Sequence, residues 1–206
     1  MTHKRLFGRK KRLLIEWGLI IGTLLFFNLT SYGTVVQGWF QQGLLFTGLF
    51  QPNMTFAESS AVPANYDVRL VSLDGVPTTL ADFKGKVVFM NVWATWCPPC
   101  LAEMPFIQNL YNDIGNENIA FVMISADDTA EIAREFVSTK KYSMPFYRLS
   151  GPMPRPYTSN ALPTTYVISP DGKLATVHAG MANYDSEEFK SFLRALAERG
   201  DSVMDL

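Results

Sequence analysis

Two cysteines offer the chemistry most readily read from this chain. Cys97 and Cys100 are the only cysteines among its 206 residues, and they stand in the sequence Trp-Cys-Pro-Pro-Cys. Because two residues separate them, the pair can close a small disulfide within one helical turn. Residues 86–93, before the motif, read as a buried β-strand, and residues from about 100 to 114 read as a helix. A Cys-x-x-Cys motif at a strand-to-helix junction favours reversible thiol–disulfide chemistry.

Two other roles of the cysteine pair are alternatives to thiol–disulfide chemistry. A purely structural disulfide is the first, although so small a ring constrains the unfolded chain little and stabilises the fold only modestly. A zinc site is the second; it needs four ligands, and only His3 and His178 remain as strong candidates. His3 lies in an N-terminal tail that is predicted to face the opposite side of a membrane. We therefore expect no metal, and no cofactor beyond the redox-active disulfide Cys97–Cys100.

The charges are divided unevenly along the chain. The first 12 residues hold six of the 18 lysines and arginines, and the next basic residue is Arg69. Beyond residue 60 the chain carries 12 basic and 17 acidic residues, so a basic tail precedes an acidic domain. An acidic domain repels phosphates, which argues against nucleic acid as a partner.

An apolar segment follows the basic tail of residues 1–12. Residues 13–31 are apolar apart from Glu16, Asn28 and small hydroxyl residues, and as a helix they would rise about 28 Å, close to the roughly 30 Å hydrocarbon core of a bilayer. The main alternative is a cleaved signal peptide with a small-x-small site at 31–33, but the apolar run exceeds the usual length of its core. A single transmembrane anchor is predicted, with the basic tail in the cytoplasm and the C-terminal domain outside it.

Residues 32–64 are interpreted as an interfacial segment and a linker. Apolar side chains between residues 33 and 50 fall roughly on one helical face, which suits a segment lying in the membrane interface. A second span through residues 33–50 is the alternative and would return the domain to the cytoplasm; its glutamines and glycines count against it. The proline- and serine-containing stretch at 51–65 reads as a linker. The folded domain is expected at 65–206.

From residue 65 onward the pattern alternates between strands and amphipathic helices. Strands joined through helices pair in parallel, whereas the two Asp-Gly turns, at residues 74–75 and 171–172, predict antiparallel hairpins. The predicted fold class is therefore α/β, with one mixed sheet and helices on both faces. Strands are predicted at 68–73, 78–80, 86–92, 119–124, 146–149, 164–168 and 173–178, and helices at 100–114, 129–140 and 186–199.

Two stretches carry a family resemblance. They are Asn-Val-Trp-Ala-Thr-Trp-Cys-Pro-Pro-Cys-Leu-Ala-Glu-Met-Pro at residues 91–105 and Leu-Pro-Thr-Thr-Tyr-Val-Ile at residues 162–168. From about residue 65 to 199 the chain resembles the thioredoxin-fold proteins. Within them it is similar to the membrane-tethered thiol–disulfide oxidoreductases of the TlpA/ResA type, which are found outside the bacterial cytoplasmic membrane. The first 60 residues lie outside the resemblance, and an anchor there fits that group.

The resemblance implies a role for each cysteine. Cys97 would sit at or just before a helix N-terminus, where the helix dipole and free amides favour its thiolate, and it would attack a disulfide of a partner protein. Cys100, one turn further and more buried, would attack the mixed disulfide and release the reduced partner. Pro98 and Pro99 lack amide hydrogens, so the thiolate is less stabilised, which favours a reducing couple.

The same resemblance implies further site residues. An acid at the place of Glu103 is linked in that group to proton handling by the thiols, and Asn91 stands where cytosolic thioredoxins carry a buried aspartate. The alternative for Glu103 is an exposed acid near the favourable end of the helix dipole. Pro163 matches the cis-proline of the fold, which lies against the disulfide and offers backbone groups to an incoming chain. The residues expected to dock substrate are Trp96, Pro98, Pro99, Leu162 and Pro163.

These observations predict an anchored enzyme that reduces disulfides in extracytoplasmic proteins. Apo-cytochromes c are candidate clients by resemblance, and a separate membrane protein must supply electrons because no electron-carrying membrane domain is present in this sequence. Two alternatives stay open. One is a non-catalytic, membrane-anchored binding module with a structural disulfide, and the other is a thiol peroxidase, since peroxiredoxins share the fold.

Overall fold

The structure covers the predicted domain but little of the chain before it. The chain divides into two units between residues 40 and 41. In the first unit residues 15–22 are helical. Among the described residues, no helix is both long enough and apolar enough to span a bilayer. The computed structural model describes residues 15–22, 43, 62–115 and 118–204.

Most of the predicted N-terminal organisation lies outside the described residues. This applies to the basic tail at 1–12 and to all of the predicted anchor at 13–31 except residues 15–22. It applies also to the predicted interfacial segment and linker at 32–64, except residues 43 and 62–64. The anchor, the interfacial segment and the linker therefore stay predictions.

The described residues from 62 onward form seven strands, three α-helices and one 3-10 helix. Each predicted strand and helix is present, with bounds that differ by a few residues at most, except at the C-terminal end of the last helix. The elements are β1 (Arg69–Ser72), β2 (Pro77–Thr79), the 3-10 helix (Leu80–Phe83), β3 (Val87–Trp93), α1 (Pro98–Ile114), β4 (Ile119–Ser125), α2 (Ala130–Lys140), β5 (Phe146–Leu149), β6 (Thr164–Ile168), β7 (Leu174–Ala179) and α3 (Glu187–Met204).

The seven strands form one mixed sheet, as predicted. Their order is β2-β1-β5-β4-β3-β6-β7. Strands β3, β4 and β5 are parallel, because α1 and α2 connect them, and the remaining neighbours are antiparallel. Strand β3 lies inside the sheet between β4 and β6, and nearly all of it is buried, which explains its almost continuous apolar sequence.

The two faces of the sheet are covered differently. On one face, alternate β3 residues such as Phe89 and Trp93 pack into a core with side chains from α1, α2 and α3. On the other face, Val88 and Met90 pack with the 3-10 helix and with loop residues such as Tyr157. The expected placement of α-helices on both faces is therefore wrong. The β3-α1-β4 and β4-α2-β5 crossovers step across the sheet in the same direction, and two right-handed crossovers of that kind place both helices on one face.

Helix α3 is capped at its start and is joined to α1 by ion pairs. The Oγ of Ser186 accepts a hydrogen bond from the backbone N–H of Phe189 at 3.2 Å, so Ser186 caps the helix as predicted. Lys190, on the first turns of α3, is only 5% exposed. Its Nζ lies 2.6 Å from a carboxylate oxygen of Asp113 in α1 and 2.7 Å from one of Asp185. This ion-pair cluster joins the two helices beside the segment that leads from β7 to α3.

Candidate active site

The redox site lies where β3 ends and α1 begins. Trp93, the last residue of β3, is fully buried, and its carbonyl accepts a hydrogen bond from the backbone N–H of Ala126 at 2.8 Å. The N–H of Cys97 then donates to the carbonyl of Ala94 at 3.2 Å, so the chain turns tightly. Cys97 becomes the N-cap residue of α1. The predicted position of Cys97 at a helix N-terminus is confirmed.

The two cysteines are joined in a disulfide, with their Cα atoms 5.3 Å apart. Cys97 is 4% exposed and Cys100 is completely buried, so any attack from outside reaches Cys97 first. The Sγ of Cys97 accepts a hydrogen bond from the backbone N–H of Cys100 at 3.3 Å. Pro98 and Pro99 occupy the first two helical positions and offer no N–H there. The amide that donates to the Cys97 sulfur is therefore that of Cys100.

A buried carboxylate that sequence reasoning missed holds the turn before Cys97. The predicted helix at 129–140 begins after Thr129, and Asp127, which stands just before it, faces the redox turn. Its Oδ1 accepts hydrogen bonds from the N–H of Thr95 at 3.0 Å and from the hydroxyl of Thr95 at 2.7 Å. Its Oδ2 accepts from the hydroxyl of Ser125 at 2.8 Å. The only sequence signal was an acid placed just after a buried strand that neighbours β3.

The loop before β6 brings a cis-proline to the same end of the sheet. The Leu162–Pro163 peptide bond is cis, as the resemblance implied, and a second cis bond, Arg155–Pro156, was not predicted. Because Thr164 pairs with Val92 near the end of β3, Pro163 lies at the end of the sheet that carries the disulfide. The carbonyl of Pro163 is engaged by the N–H of Gly180 at 2.9 Å.

The residues predicted to dock substrate differ in how much surface they offer. Trp96 is 65% exposed, which is unusual for a tryptophan beside a buried core and fits a contact surface. Pro98, Pro99 and Leu162 are partly exposed, whereas Pro163 is buried. Four of these five side chains are therefore at least partly exposed, and their role in docking stays a prediction.

Glu103 is buried, so the alternative of an exposed helix acid is wrong. Its Oε1 accepts a hydrogen bond from Nδ2 of Asn91 at 2.8 Å, and its Oε2 accepts from the N–H of Ala182 at 3.2 Å. Burial raises the pKa of Glu103 from 4.5 to about 8, and the hydrogen bonds from Asn91 and Ala182 oppose that rise only in part. Glu103 follows Cys100 by one helical turn, so a group that exchanges protons near neutral pH stands on the cysteine face of α1.

Two further residues, Thr165 of β6 and Tyr184 in the segment before α3, join Asn91 and Glu103 in a buried polar cluster. Thr165 Oγ1 accepts from Nδ2 of Asn91 at 2.9 Å and lies 2.7 Å from the hydroxyl of Tyr184. His178 pairs with Thr165 across β6 and β7, and burial lowers the pKa of His178, opposed by a hydrogen bond with the backbone of Met181. No periodic pattern could have indicated that Thr165 and Tyr184 are linked to Glu103 through Asn91, because these residues are far apart in the sequence.

Metal binding finds no support in the described part of the chain. No group of three or more His, Cys, Asp or Glu side chains there is arranged to hold a metal ion. The cysteines are bonded to each other, and the carboxylate of Glu103 is occupied by hydrogen bonds.

The fold and the site define a class. A mixed sheet, a disulfide between Cys97 and Cys100 at the start of a helix, and a cis-proline at the adjacent strand are the features of a thioredoxin-like protein. Solved structures share the fold. A thioredoxin-family thiol:disulfide interchange protein from Chlorobium tepidum TLS is 24% identical with a TM-score of 0.55, over 68% of this chain and 99% of that one. StoA from Bacillus subtilis is 22% identical with a TM-score of 0.53, over 65% of this chain and 98% of that one.

Sequence comparison narrows the class to a family. The family profile described as Redoxin matches residues 56–196. The thiol-disulfide oxidoreductase ResA of Oceanobacillus iheyensis is 31% identical over 139 residues, which cover 66% of this chain and 72% of that protein. ResA of Bacillus subtilis is 27% identical over 173 residues, covering 84% of this chain and 87% of that protein. The chain belongs to the Redoxin family and is a thiol–disulfide oxidoreductase of the ResA/TlpA type.

Proposed function

We propose that this protein is tethered to the bacterial cytoplasmic membrane and reduces disulfides of extracytoplasmic proteins by dithiol exchange. The observation that carries the proposal is the Cys97–Cys100 pair at the N-cap of α1, in which Cys97 keeps a small exposed fraction of 4% and Cys100 is completely buried. The basic tail at 1–12 and the apolar run at 13–31 support the tether. Apo-cytochromes c are candidate clients, on the basis of the family resemblance.

The exchange proceeds in two displacements that balance in electrons and protons. The thiolate of Cys97 attacks a disulfide of the client, forms a mixed disulfide and releases one client sulfur as a thiolate. Cys100 then loses its proton and attacks the Cys97 sulfur, which releases the second client sulfur. Two electrons have passed to the client, and Cys97 and Cys100 are joined as they are in this structure. A separate membrane protein returns two electrons to the pair.

Glu103 is suited to take the proton from Cys100 during the second displacement. A carboxyl group with a pKa of about 8 can exist in either form near neutral pH, which an exposed glutamate cannot do. The disulfide state is the product of that step, and in it the raised pKa keeps the proton on Glu103. Asn91 and the N–H of Ala182 stabilise the ionised form that must precede the step.

The absence of backbone N–H groups at Pro98 and Pro99 supports electron transfer from the cysteine pair to the client. A thiolate at a helix N-terminus is stabilised by several N–H groups, and a strongly stabilised thiolate makes the couple oxidising. Here Pro98 and Pro99 remove two of those groups, which leaves the N–H of Cys100. The disulfide form is correspondingly favoured, so the dithiol gives up its electrons readily.

The proposal is tested by trapping clients with the full chain carrying Cys100→Ala. Without its resolving cysteine, Cys97 should remain bound to client proteins as mixed disulfides that dithiothreitol releases. The matched control is Cys97→Ala, which should trap far less because Cys100 is buried. If neither variant traps protein and Cys100→Ala only lowers stability, the pair is a structural disulfide. If the wild type instead consumes peroxide stoichiometrically and traps nothing, the chain is a thiol peroxidase.

A further inference from the structure

We propose that Asp127 is a positioning residue for Cys97, and that its buried carboxylate also raises the energy of the Cys97 thiolate and so favours the reducing direction. The inference rests on the proposed function, because it explains the direction of electron flow at the same cysteine pair. It concerns a residue that lies outside the Cys-x-x-Cys motif and does not touch the sulfur itself.

The contacts of Asp127 show a side chain built to hold the redox turn. Asp127 is 4% exposed, and both of its carboxylate oxygens are engaged. Oδ1 accepts from the N–H of Thr95 at 3.0 Å and from its hydroxyl at 2.7 Å, and Oδ2 accepts from the hydroxyl of Ser125 at 2.8 Å. The N–H of Asp127 donates to the same Ser125 hydroxyl at 3.0 Å. The end of β4 is thereby locked to the turn that precedes Cys97.

The hydrogen bonds from Thr95 to Asp127 hold the chain two residues before Cys97. Thr95 donates twice to one oxygen of Asp127, so both its backbone and its side chain are held. The backbone link from Ala126 to Trp93 holds the start of the same turn at 2.8 Å. With the turn anchored on β4, the position of Cys97 relative to Cys100 and to the cis-proline loop is set by the sheet rather than by the turn alone.

The charge of Asp127 acts on Cys97 at short range. Chain connectivity from Thr95 limits the separation between the Asp127 carboxylate and the Cys97 sulfur to about 14 Å at most. At an effective dielectric constant of about 20, a negative charge at about 14 Å shifts the pKa of a thiol upward by about 0.9 unit, and a shorter separation gives a larger shift. Burial limits screening by salt, so the effect persists at physiological ionic strength.

Other charged and titratable groups surround the site and must be distinguished from Asp127. Arg148 of β5 donates through Nη2 to the backbone carbonyls of Asp127, at 3.2 Å, and of Asp128, at 2.8 Å, so it partly offsets the carboxylate. On the opposite side of the cysteines lie the groups of the buried polar cluster. These are Glu103 of α1 and Tyr184 in the segment before α3, and the half-buried His178 of β7 pairs with Thr165 beside them.

The neighbouring Asp128 offers a matched control. Both acids follow β4, but Asp127 is buried against the turn whereas Asp128 is exposed to solvent. A charge in water is screened and acts weakly on the sulfur. Replacing each acid by the isosteric asparagine therefore separates a local buried charge from the general acidity of the domain.

The experiment measures the pKa of Cys97 from the pH dependence of its alkylation by iodoacetamide, in the full chain carrying Cys100→Ala so that one thiol remains. Asp127→Asn should lower the pKa of Cys97 by about one unit and raise the alkylation rate near neutral pH up to about tenfold. Asp128→Asn should leave both unchanged. An unchanged pKa in Asp127→Asn, or an equal shift in Asp128→Asn, would overturn the proposal.

A second variant keeps the proposal testable if Asp127→Asn does not fold, as judged by its circular dichroism. Thr95→Val removes one donor from the Asp127 carboxylate and leaves its charge less compensated. The pKa of Cys97 should then rise by a few tenths of a unit, and Thr95→Ser should restore it. A pKa that stays the same or falls in Thr95→Val contradicts the proposal. The alkylation assay uses no client protein. Its result therefore tests the role of Asp127 even if the trapping experiment finds no clients.

Discussion

The sulfur of Cys97 accepts a hydrogen bond from one backbone amide, that of Cys100, because the first two residues of α1 are prolines. N-cap side chains accept from the N–H of the second or third helical residue. Here the second is Pro99 and the third is Cys100, whose N–H lies 3.3 Å from the sulfur. The proline at the second position is therefore the one that withholds a usable donor, while Pro98 at the first position withholds one that would rarely reach the cap.

Pro99→Ala should shift the couple towards oxidation. The restored N–H can donate to the Cys97 thiolate, and a hydrogen bond to a charged group contributes about 1.5–3 kcal/mol. The pKa of Cys97 should fall by about one to two units and the redox potential should rise by about 30–60 mV. Both follow from iodoacetamide alkylation and from equilibration with glutathione. Pro98→Ala is the control and should change them much less; equal shifts in the two variants would contradict this explanation.

Glu103 should make the stability of the oxidised protein fall as pH rises. Its pKa is raised by burial from 4.5 to about 8, so between these values the unfolded chain has released a proton that the folded protein keeps. Stability is then lost with increasing pH by at most about 1.4 kcal/mol per unit, and the loss levels off above pH 8.

The comparison of wild type with Glu103→Gln isolates this effect. Urea unfolding between pH 4.5 and 8.5 should show a falling wild-type stability relative to the variant. The lowered pKa of His178 gives a pH dependence of the opposite sign below about pH 6.5 in both proteins, so it cancels in the difference. If the two stability curves run parallel, Glu103 does not hold its proton in the folded state.

Among the elements, α1 and α3 depend on one buried lysine. Burial by itself lowers the pKa of Lys190, but hydrogen bonds to Asp113, Asp185 and Glu187 more than reverse this and raise it. The ammonium group therefore stays charged between the helices. Asp185 also accepts from Nδ2 of Asn109 in α1 at 2.8 Å. The segment that presents Ala182 and Tyr184 to the buried polar cluster ends at this junction.

Lys190→Met should destabilise the protein by about 2 kcal/mol. Removing one partner of a buried ion pair commonly costs more than that, but Asp113 and Asp185 stay partly solvated, which reduces the loss. Lys173→Met is the matched control, because Lys173 and its partner Asp171 are both about half exposed at a separation of 2.9 Å, and such pairs contribute little. Urea unfolding at neutral pH measures both. A loss below 0.5 kcal/mol in Lys190→Met, on the scale of a surface pair, would contradict a role in joining the helices.

The elements could be predicted from the sequence because their signals are local. The continuous apolar run of β3, the apolar spacing in α1 and the Asp-Gly turns each act within a few residues, and all lie where they were expected. The placement of α1 and α2 on one face could not be predicted in the same way. It depends on β5 joining the sheet next to β4, which is a choice among strand orders that no local pattern encodes.

The site residues that could be predicted are those within the two stretches of family resemblance. Cys97, Cys100 and Pro163 stand within the two stretches of family resemblance, and the structure brings them to one end of the sheet. Asp127 and Tyr184 stand outside those stretches. Each meets the site through a tertiary contact with a distant threonine, 32 residues away for Asp127 and 19 for Tyr184. Charged or polar residues in such places read locally as caps or as surface.

At the scale of the whole molecule, the chain enters the domain at the end opposite the disulfide. The N–H of Ala64 donates to the carbonyl of Gly172 at 2.8 Å, and Pro63 forms an antiparallel bridge with Lys173. This turn joins β6 to β7 beside the start of β3, whereas Cys97 follows its end. The seven residues of β3 separate the two ends by about 23 Å. The proposed tether would therefore enter at the end of the domain that lies opposite the disulfide.

The proposed orientation predicts which thiols are accessible from outside the cell. In spheroplasts that express the Cys100→Ala chain, a membrane-impermeant maleimide should label Cys97 without permeabilisation. The control carries Thr2→Cys with both native cysteines replaced by alanine, and its thiol should be labelled only after the membrane is opened. Labelling of Cys97 that also requires permeabilisation would place the domain in the cytoplasm and contradict the proposed topology.

The direction of electron flow is tested most directly by the redox potential of the Cys97–Cys100 pair in the full chain, equilibrated with defined ratios of oxidised and reduced dithiothreitol. With two prolines at the start of α1 and a buried carboxylate behind the turn, we predict a potential near or below the roughly −270 mV of thioredoxin. A value near −120 mV, as in a strong oxidant, would contradict a reductase and assign the pair to disulfide formation.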